Sequence, residues 1–460
     1  MRSRTGSLGD LAAVQAPAGG LTFGELWHGA DRLASMFRSA GVGEGHVTGL
    51  LLGNSPAFLT AFLALCRLDA TVALLSPQYR RAELAAIANG VRLSSIVTDS
   101  PVDGLEVSRA ENTEGLDVLV LAGEREPAAG EALLKFSSGS TAEPKGIALT
   151  ADSVIAEAEA VTATLGLARG DGVLAAVPLF HSYGFDLGVL PTLTAGTTLL
   201  LEDAFVPRLT LTALADRPVE AFLGVPAQYR AFLDARLASP PDLSRVRWLL
   251  SCTAPLAPET IVAFHERFGA PVCQHYGSSE TGAVTNHVPS EVLTRPASVG
   301  RAVSGVRIDL DDGEVVVTSS AVARRYVLGA PPPPLPLGDG VFRTGDLGEI
   351  DSEGFLTLLG RKDALINVGG LKVSPAEVAA TLERHPAVLE AAVLGVPDGR
   401  GDEVVYGVVA LSGSSDETEL LAFCRAALAE YKVPRRIEIR AALPRTASGK
   451  VRVTVEDLDG

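Results

Sequence analysis

The sequence holds only four cysteines, Cys66, Cys252, Cys273 and Cys424, without a CxxC pair or metal-ligand spacing. That leaves no basis for a disulfide framework or a cysteine-held metal, and reduced thiols partly in cores are expected. No apolar run approaches the ~20 residues of a membrane-spanning helix, so no membrane partner is expected. Residues 1–20 carry charge but no continuous apolar stretch, so no signal peptide is expected and the cytoplasm is the expected location. Positive charge is also scarce, with 39 Lys and Arg against 55 Asp and Glu, a net charge of −16. Nonspecific nucleic-acid binding calls for a basic surface, so no nucleic-acid partner is expected. A small anion remains possible, because a local basic patch can hold one on an acidic protein. Aromatic residues are few, at 5%, which does not decide the nature of any pocket. No internal repeat is visible, and the one low-complexity stretch is the proline run within residues 330–340, which must be a surface loop.

With 47% hydrophobic and 20% charged residues, the chain is globular, and 460 residues are too many for one ordinary core. Apolar runs such as Val173–Val177 and Val246–Leu250 read as buried strands between helical stretches, which predicts an α/β protein with parallel sheet. In residues 151–167, Val154, Ile155, Ala158, Val161 and Leu165 recur at helical spacing, with Gly170 in the stop signal. Asp312-Gly313, between VRIDL and EVVVTS, predicts a hairpin and a partly antiparallel region. A second unit begins near Gly360. Ser374-Pro375-Ala376-Glu377 has the pattern of a capping box and predicts a helix to about Arg384. A strand VLEAAVLGV, a helix over 417–429 and a strand RRIEIR follow, making a small α+β unit.

The segment Phe136 to Gly146 reads FSSGSTAEPKG. Hydroxyls and glycines ahead of a lysine, after an apolar stretch, can cradle phosphates with backbone N–H groups while Lys145 neutralises them. It is not a Walker A loop, which needs Gly-Lys-Ser/Thr. It resembles the phosphate loop TSGTTGxPKG of the adenylate-forming superfamily, which includes acyl- and aryl-CoA synthetases, adenylation domains of peptide synthetases, and luciferases. Ser137, Ser138, Gly139, Ser140, Thr141 and Lys145 are its matching residues. Ala142 stands where the family has glycine, and it would be strained if that position needs a positive φ.

Further motifs follow in the family's order. His275-Tyr276-Gly277-Ser278-Ser279-Glu280-Thr281 resembles YGxTE, which implies Tyr276 and Gly277 against adenine, Ser279 at the α-phosphate and Glu280 on Mg²⁺. Magnesium prefers carboxylate together with phosphate oxygens, so the assignment is chemically reasonable. Ser251-Cys252-Thr253-Ala254-Pro255 stands where the family has a glycine-rich adenine turn, implying contacts from Thr253 and Ala254. Arg343 to Leu347 resembles RTGDL, so Asp346 should accept from the ribose hydroxyls, with Arg361 also at the ribose. Gly360-Arg361-Lys362-Asp363 resembles the hinge motif, with Asp363 at the pivot, and Gly369 and Gly370 fall where the family lines its pantetheine tunnel. Leu443 to Lys450 resembles LPxTxSGK, implying Lys450 as the adenylation lysine. Together these matches imply a large α/β domain over 1–360, with mixed, largely parallel sheets sandwiched by helices. A hinge at 361–363 and a small mobile α+β domain over 364–460 follow. The implied cofactors are ATP and Mg²⁺.

Pro178 to Gly184 resembles the PLFHxxG motif of acyl- and aryl-CoA synthetases, which places His181 near the substrate carboxylate. Tyr183, Phe185, Gly224, Val225 and Gly277 are the expected pocket wall, suited to an aryl or short acyl acid. Phe185-Asp186 is superficially similar to the FDxS motif by which peptide-synthetase domains grip an α-amino group, with too short a spacing to Gly196. The implied reaction forms acyl-AMP and then transfers the acyl group to a thiol. Free CoA and an acyl carrier protein remain open as acceptors. An amino-acid substrate, or an unusual oxyacid such as nitrite with an amine acceptor, remain alternatives.

Overall fold

Four short strands with almost no polar residue, Gly172–Ala175, Thr198–Leu201, Ala221–Gly224 and Trp248–Ser251, are buried along their whole length. Such strands need cover on both faces, which is the situation of a parallel sheet. In the structure, a computed structural model, they pair in parallel in one nine-stranded sheet. The structure describes residues 8–122, 130–138, 144–329, 339–362, 364–368, 371–397, 403–445 and 451–458.

A second, eight-stranded sheet has a parallel centre of Leu133–Ser138, Thr71–Leu74, Val47–Leu51 and Ser95–Thr98, with antiparallel strands at both edges. The helix Pro56–Cys66 is apolar all round, and Phe58 through Leu65 are all buried. Its side chains share one core with strand residues of both sheets, such as Val72 and Val173. The helix Ala151–Leu165 joins the same core and ends on Gly166 at φ 55. Its stop is therefore Gly166 rather than the expected Gly170, because a left-handed C-cap is needed immediately after the last turn.

The Asp312-Gly313 hairpin forms as expected. Both residues have positive φ, 51 and 76, and join Arg307–Asp311 to Glu314–Thr318 in a four-stranded antiparallel sheet. That sheet continues through Val341–Ile350 to Leu356–Arg361. The proline run over 330–338 lies outside the described residues.

Beyond it, Val388–Pro397, Glu403–Leu411 and Arg436–Arg440 form a three-stranded sheet covered by helices Pro375–Glu383 and Glu417–Ala427. Val378, Leu382, Val409, Leu420 and Ile437 form its own core. Ser374 caps the first helix by accepting from the Glu377 N–H, with proline at N1. Only this half of the capping box appears, because the Glu377 carboxylate pairs with Lys432 at 2.6 Å instead. None of the four cysteines forms a disulfide, and three of them are buried. Among the described residues no helix is long and apolar enough to cross a membrane.

Candidate active site

The strands Leu133–Ser138 and Pro144–Leu149 pair antiparallel, with Phe136 opposite Gly146 and Ser137 opposite Lys145. They are the two walls of the expected phosphate loop. Gly139, Ser140 and Thr141 lie outside the described residues, as do the side chains of Ser137 and Ser138. Lys145 is half-buried at the start of the second wall.

Tyr276 follows a run of buried residues on the strand Val272–Ser278. Its hydroxyl donates to Asp346 Oδ2 at 2.6 Å. Asp346 faces Arg361 across the neighbouring pair of strands, and Arg361 donates to Asp346 Oδ1 at 3.4 Å and to the Thr344 carbonyl at 3.1 Å. Burial, and then the adjacent Asp346 carboxylate, push the Tyr276 phenol well above its ordinary range, so it stays a donor. Three residues from separate sequence motifs thus meet around one carboxylate. Gly277 sits at a bulge where a Cβ would lie 2.4 Å from the Gly282 carbonyl oxygen, so only glycine fits.

Ser279 is buried, and its hydroxyl lies 2.7 Å from that of Ser182, next to His181. Glu280 Oε1 accepts from the Tyr326 hydroxyl at 3.0 Å. Tyr326 comes from a strand paired with the second wall of the phosphate loop, opposite Ile147. Among the described residues no three acidic, histidine or cysteine side chains cluster as a metal cage. A lone carboxylate suits magnesium, which keeps several waters and takes substrate phosphates.

Thr253, in the turn after Trp248–Ser251, has φ 77, while Ala254 beside it is exposed. A β-branched residue in the left-handed region costs about 1–3 kcal/mol. Glycine would relieve that strain, offset by its greater freedom in the unfolded chain. Thr253→Gly is therefore expected to leave the unfolding free energy unchanged or raise it by about 1 kcal/mol, measured by denaturant unfolding. A loss of stability would show that the threonine side chain holds the turn.

His181 precedes a short helical turn, where its ring accepts from the Tyr183 N–H at 3.4 Å. The Tyr183 hydroxyl donates to the Leu250 carbonyl at 3.2 Å, and its ring stacks on His275 at 6.1 Å. Burial lowers His275 to about 4, which keeps it neutral. Gly224 and Val225 lie at the C-terminal end of a parallel strand, where Gln228 accepts from the Val225 N–H at 3.0 Å. That end is where ligands of open α/β sheets bind. Phe185 is fully buried, edge-on to Phe62 at 5.0 Å, so its ring contributes to the core. Asp186 is occupied. Both of its oxygens lie 2.7 Å from the Lys135 ammonium, in a pair whose side chains are 2% and 4% exposed.

Residues 3–327 match the model of the AMP-binding enzymes, and residues 377–450 match that of the AMP-binding enzyme C-terminal domain. The chain belongs to the AMP-binding enzyme family. It is 31% identical to the probable CoA ligase CCL9 of Humulus lupulus, over 94% of this chain and 90% of that protein. It is 31% identical to the oxalate–CoA ligase of Arabidopsis thaliana, over 94% of this chain and 92% of that protein. Among solved structures, it resembles o-succinylbenzoate CoA synthetase of Bacillus subtilis in complex with its acyl-adenylate intermediate OSB-AMP. That match has a TM-score of 0.84 and 25% identity, covering 98% of this chain and 96% of the other.

In this AMP-binding enzyme, Asp363, Gly369, Gly370 and Lys450 lie outside the described residues. Their flanks are described. Arg445 pairs with the buried carboxylate of Glu390, and Arg445 and Val451 form a β-bridge. Reading the sequence alone misses Tyr326, Ser182 and the Lys135–Asp186 pair. No local signal marks Tyr326 or Ser182, since their partners are 46 and 97 residues away. A lysine within the apolar run ALLKF was the one visible hint for Lys135.

Proposed function

We propose that this AMP-binding enzyme condenses ATP with an aryl or short acyl carboxylic acid, releases pyrophosphate, and transfers the acyl group from acyl-AMP to a pantetheine thiol, CoA before a carrier protein. The observation that carries the reading is the Tyr276–Asp346–Arg361 arrangement. It combines an aromatic face with a carboxylate that is already oriented by two donors and can accept ribose hydroxyls. The family match, the CoA-ligase relatives and the structural likeness to an enzyme bound to its acyl-adenylate support the same reaction.

In this reading Lys145 and the loop 137–146 hold the phosphates. Ser279 and His181 lie where the acid meets the α-phosphate, joined through Ser182. Magnesium, when bound at Glu280, supplies positive charge to the phosphate oxygens. Glu280→Gln is expected to raise the magnesium concentration giving half-maximal rate, since a hard cation loses an anionic oxygen. An unchanged magnesium titration at full activity would remove Glu280 from that role. Asp186 is matched by Lys135. It therefore has no charge left for a substrate ammonium, which counts against an α-amino acid.

The two half-reactions need different residues at one site, Lys450 first and the Gly369-Gly370 segment second. Residue 363 is the proposed pivot between them. The experiment for the second half-reaction supplies an accepted acid with ATP, then offers CoA, a phosphopantetheinylated carrier protein, or an amine. Thioester formation with CoA is expected. Consumption of the adenylate by the amine alone would replace the thiol reading by one with an amine acceptor.

A further inference from the structure

Three ionisable side chains are buried together away from the expected ligand contacts. Lys135 lies on the first wall of the phosphate loop, two residues before Ser137. Asp186 lies in the turn that follows His181. The third is Glu157, 1% exposed, on the helix Ala151–Leu165 that follows the second wall. Both Glu157 oxygens accept from the Ala283 N–H, at 2.9 and 3.1 Å. Ala283 stands three residues after Glu280. At Gly282, with φ 68, a Cβ would lie 2.0 Å from Glu157 Oε2, so the strand can approach only because that residue is glycine. The group thereby touches three separate segments: the phosphate-loop strand, the His181 turn, and the strand leaving the Glu280 turn.

Charge bookkeeping explains the set. Lys135 and Asp186 cancel, so an ionised Glu157 would leave one uncompensated buried charge, which is costly. Burial first, and the neighbouring Asp186 carboxylate second, push Glu157 up to about 8, against the opposing pull of Lys135. Among the described residues, the charged neighbours acting on Glu157 are Asp186 and Lys135. Of the elements packed on this helix, the strand Gly282–Asn286 and the helix Leu190–Ala195 have no titratable side chain, and the turn Phe185–Val189 has only Asp186.

We infer that Lys135, Asp186 and Glu157 are positioning residues, a charge-balanced tie that sets the spacing of the first phosphate-loop strand, the acid-binding turn and the strand leaving the Glu280 turn for nucleotide binding. The inference rests on the reading of this site as the ATP site. It is tested by calorimetric titration of the full-length protein with magnesium ATP across pH. Binding by the wild type near neutral pH checks that underlying reading independently. The wild-type Kd is then expected to rise from about pH 7 to about pH 9, by up to about tenfold if the ionised form does not bind. Glu157→Gln, neutral at every pH and still able to accept from Ala283, should bind normally at pH 7 and lose that rise. Glu157→Leu, which keeps the bulk but not the acceptor, should bind several-fold more weakly throughout. A wild-type Kd independent of pH overturns the tie. So does an equal alkaline rise in the Gln variant, or normal binding by a folded Leu variant. A purely structural group would shift the melting temperature without moving these Kd values.

Discussion

Lys135→Met is expected to lower the unfolding free energy by about 3–5 kcal/mol, the usual penalty for removing one partner of a buried ion pair. The loss comes less from missing attraction than from leaving Asp186 buried, charged and unmatched. Asp186 is 3% exposed, and burial already pushes its carboxyl up while Lys135 pulls it down. Without the ammonium it must either take up a proton or open the core. The double variant Lys135→Met/Asp186→Leu should recover much of the loss, because two apolar side chains of similar volume often replace a buried pair at little cost. Denaturant unfolding of the two variants measures both effects. A single variant as stable as the wild type would show that water reaches the pair.

The second large effect is on catalysis. Lys450→Ala is expected to slow adenylate formation by about 10²–10³, the loss typical of one fixed charge removed from a site of developing negative charge. Leu443 is buried beside Tyr406 and Val408, and Arg445 pairs with Glu390. Transfer from supplied acyl-AMP to the thiol should be largely spared, because the proposed rotation takes Lys450 out of the site before that step. Equal loss of both half-reactions would contradict the two-state account.

Much of this was legible in the sequence because it is written locally. Buried parallel strands are short unbroken apolar runs, as in TLLL and WLLS. The Asp312-Gly313 turn needs two residues that tolerate positive φ, and both have it. The ordered motifs brought Tyr276, Asp346 and Arg361 together as expected from resemblance, although they are far apart in the chain. What stayed hidden depends on long-range partners. Glu377 looked like half of a capping box, but Lys432 is a better partner for its carboxylate. Phe185 was expected at the pocket wall, and only the fold shows that its ring packs edge-on against Phe62 of another helix. Asp186 had only a superficial likeness to the FDxS aspartate in the sequence, and the fold sets Lys135 against it, 51 residues away. Spacing carries no information about such pairs, since only the packing of the two sheets decides which side chains meet.

The central claim is that this protein makes an acyl adenylate. The measurement closest to it is the exchange of labelled pyrophosphate into ATP by the wild-type protein with magnesium, across a panel of aryl, alkyl, amino and inorganic acids. Exchange that requires an aryl or short acyl carboxylic acid is the expected result. If the protein binds ATP but no carboxylic acid supports exchange, it does not form acyl adenylates and the account is contradicted.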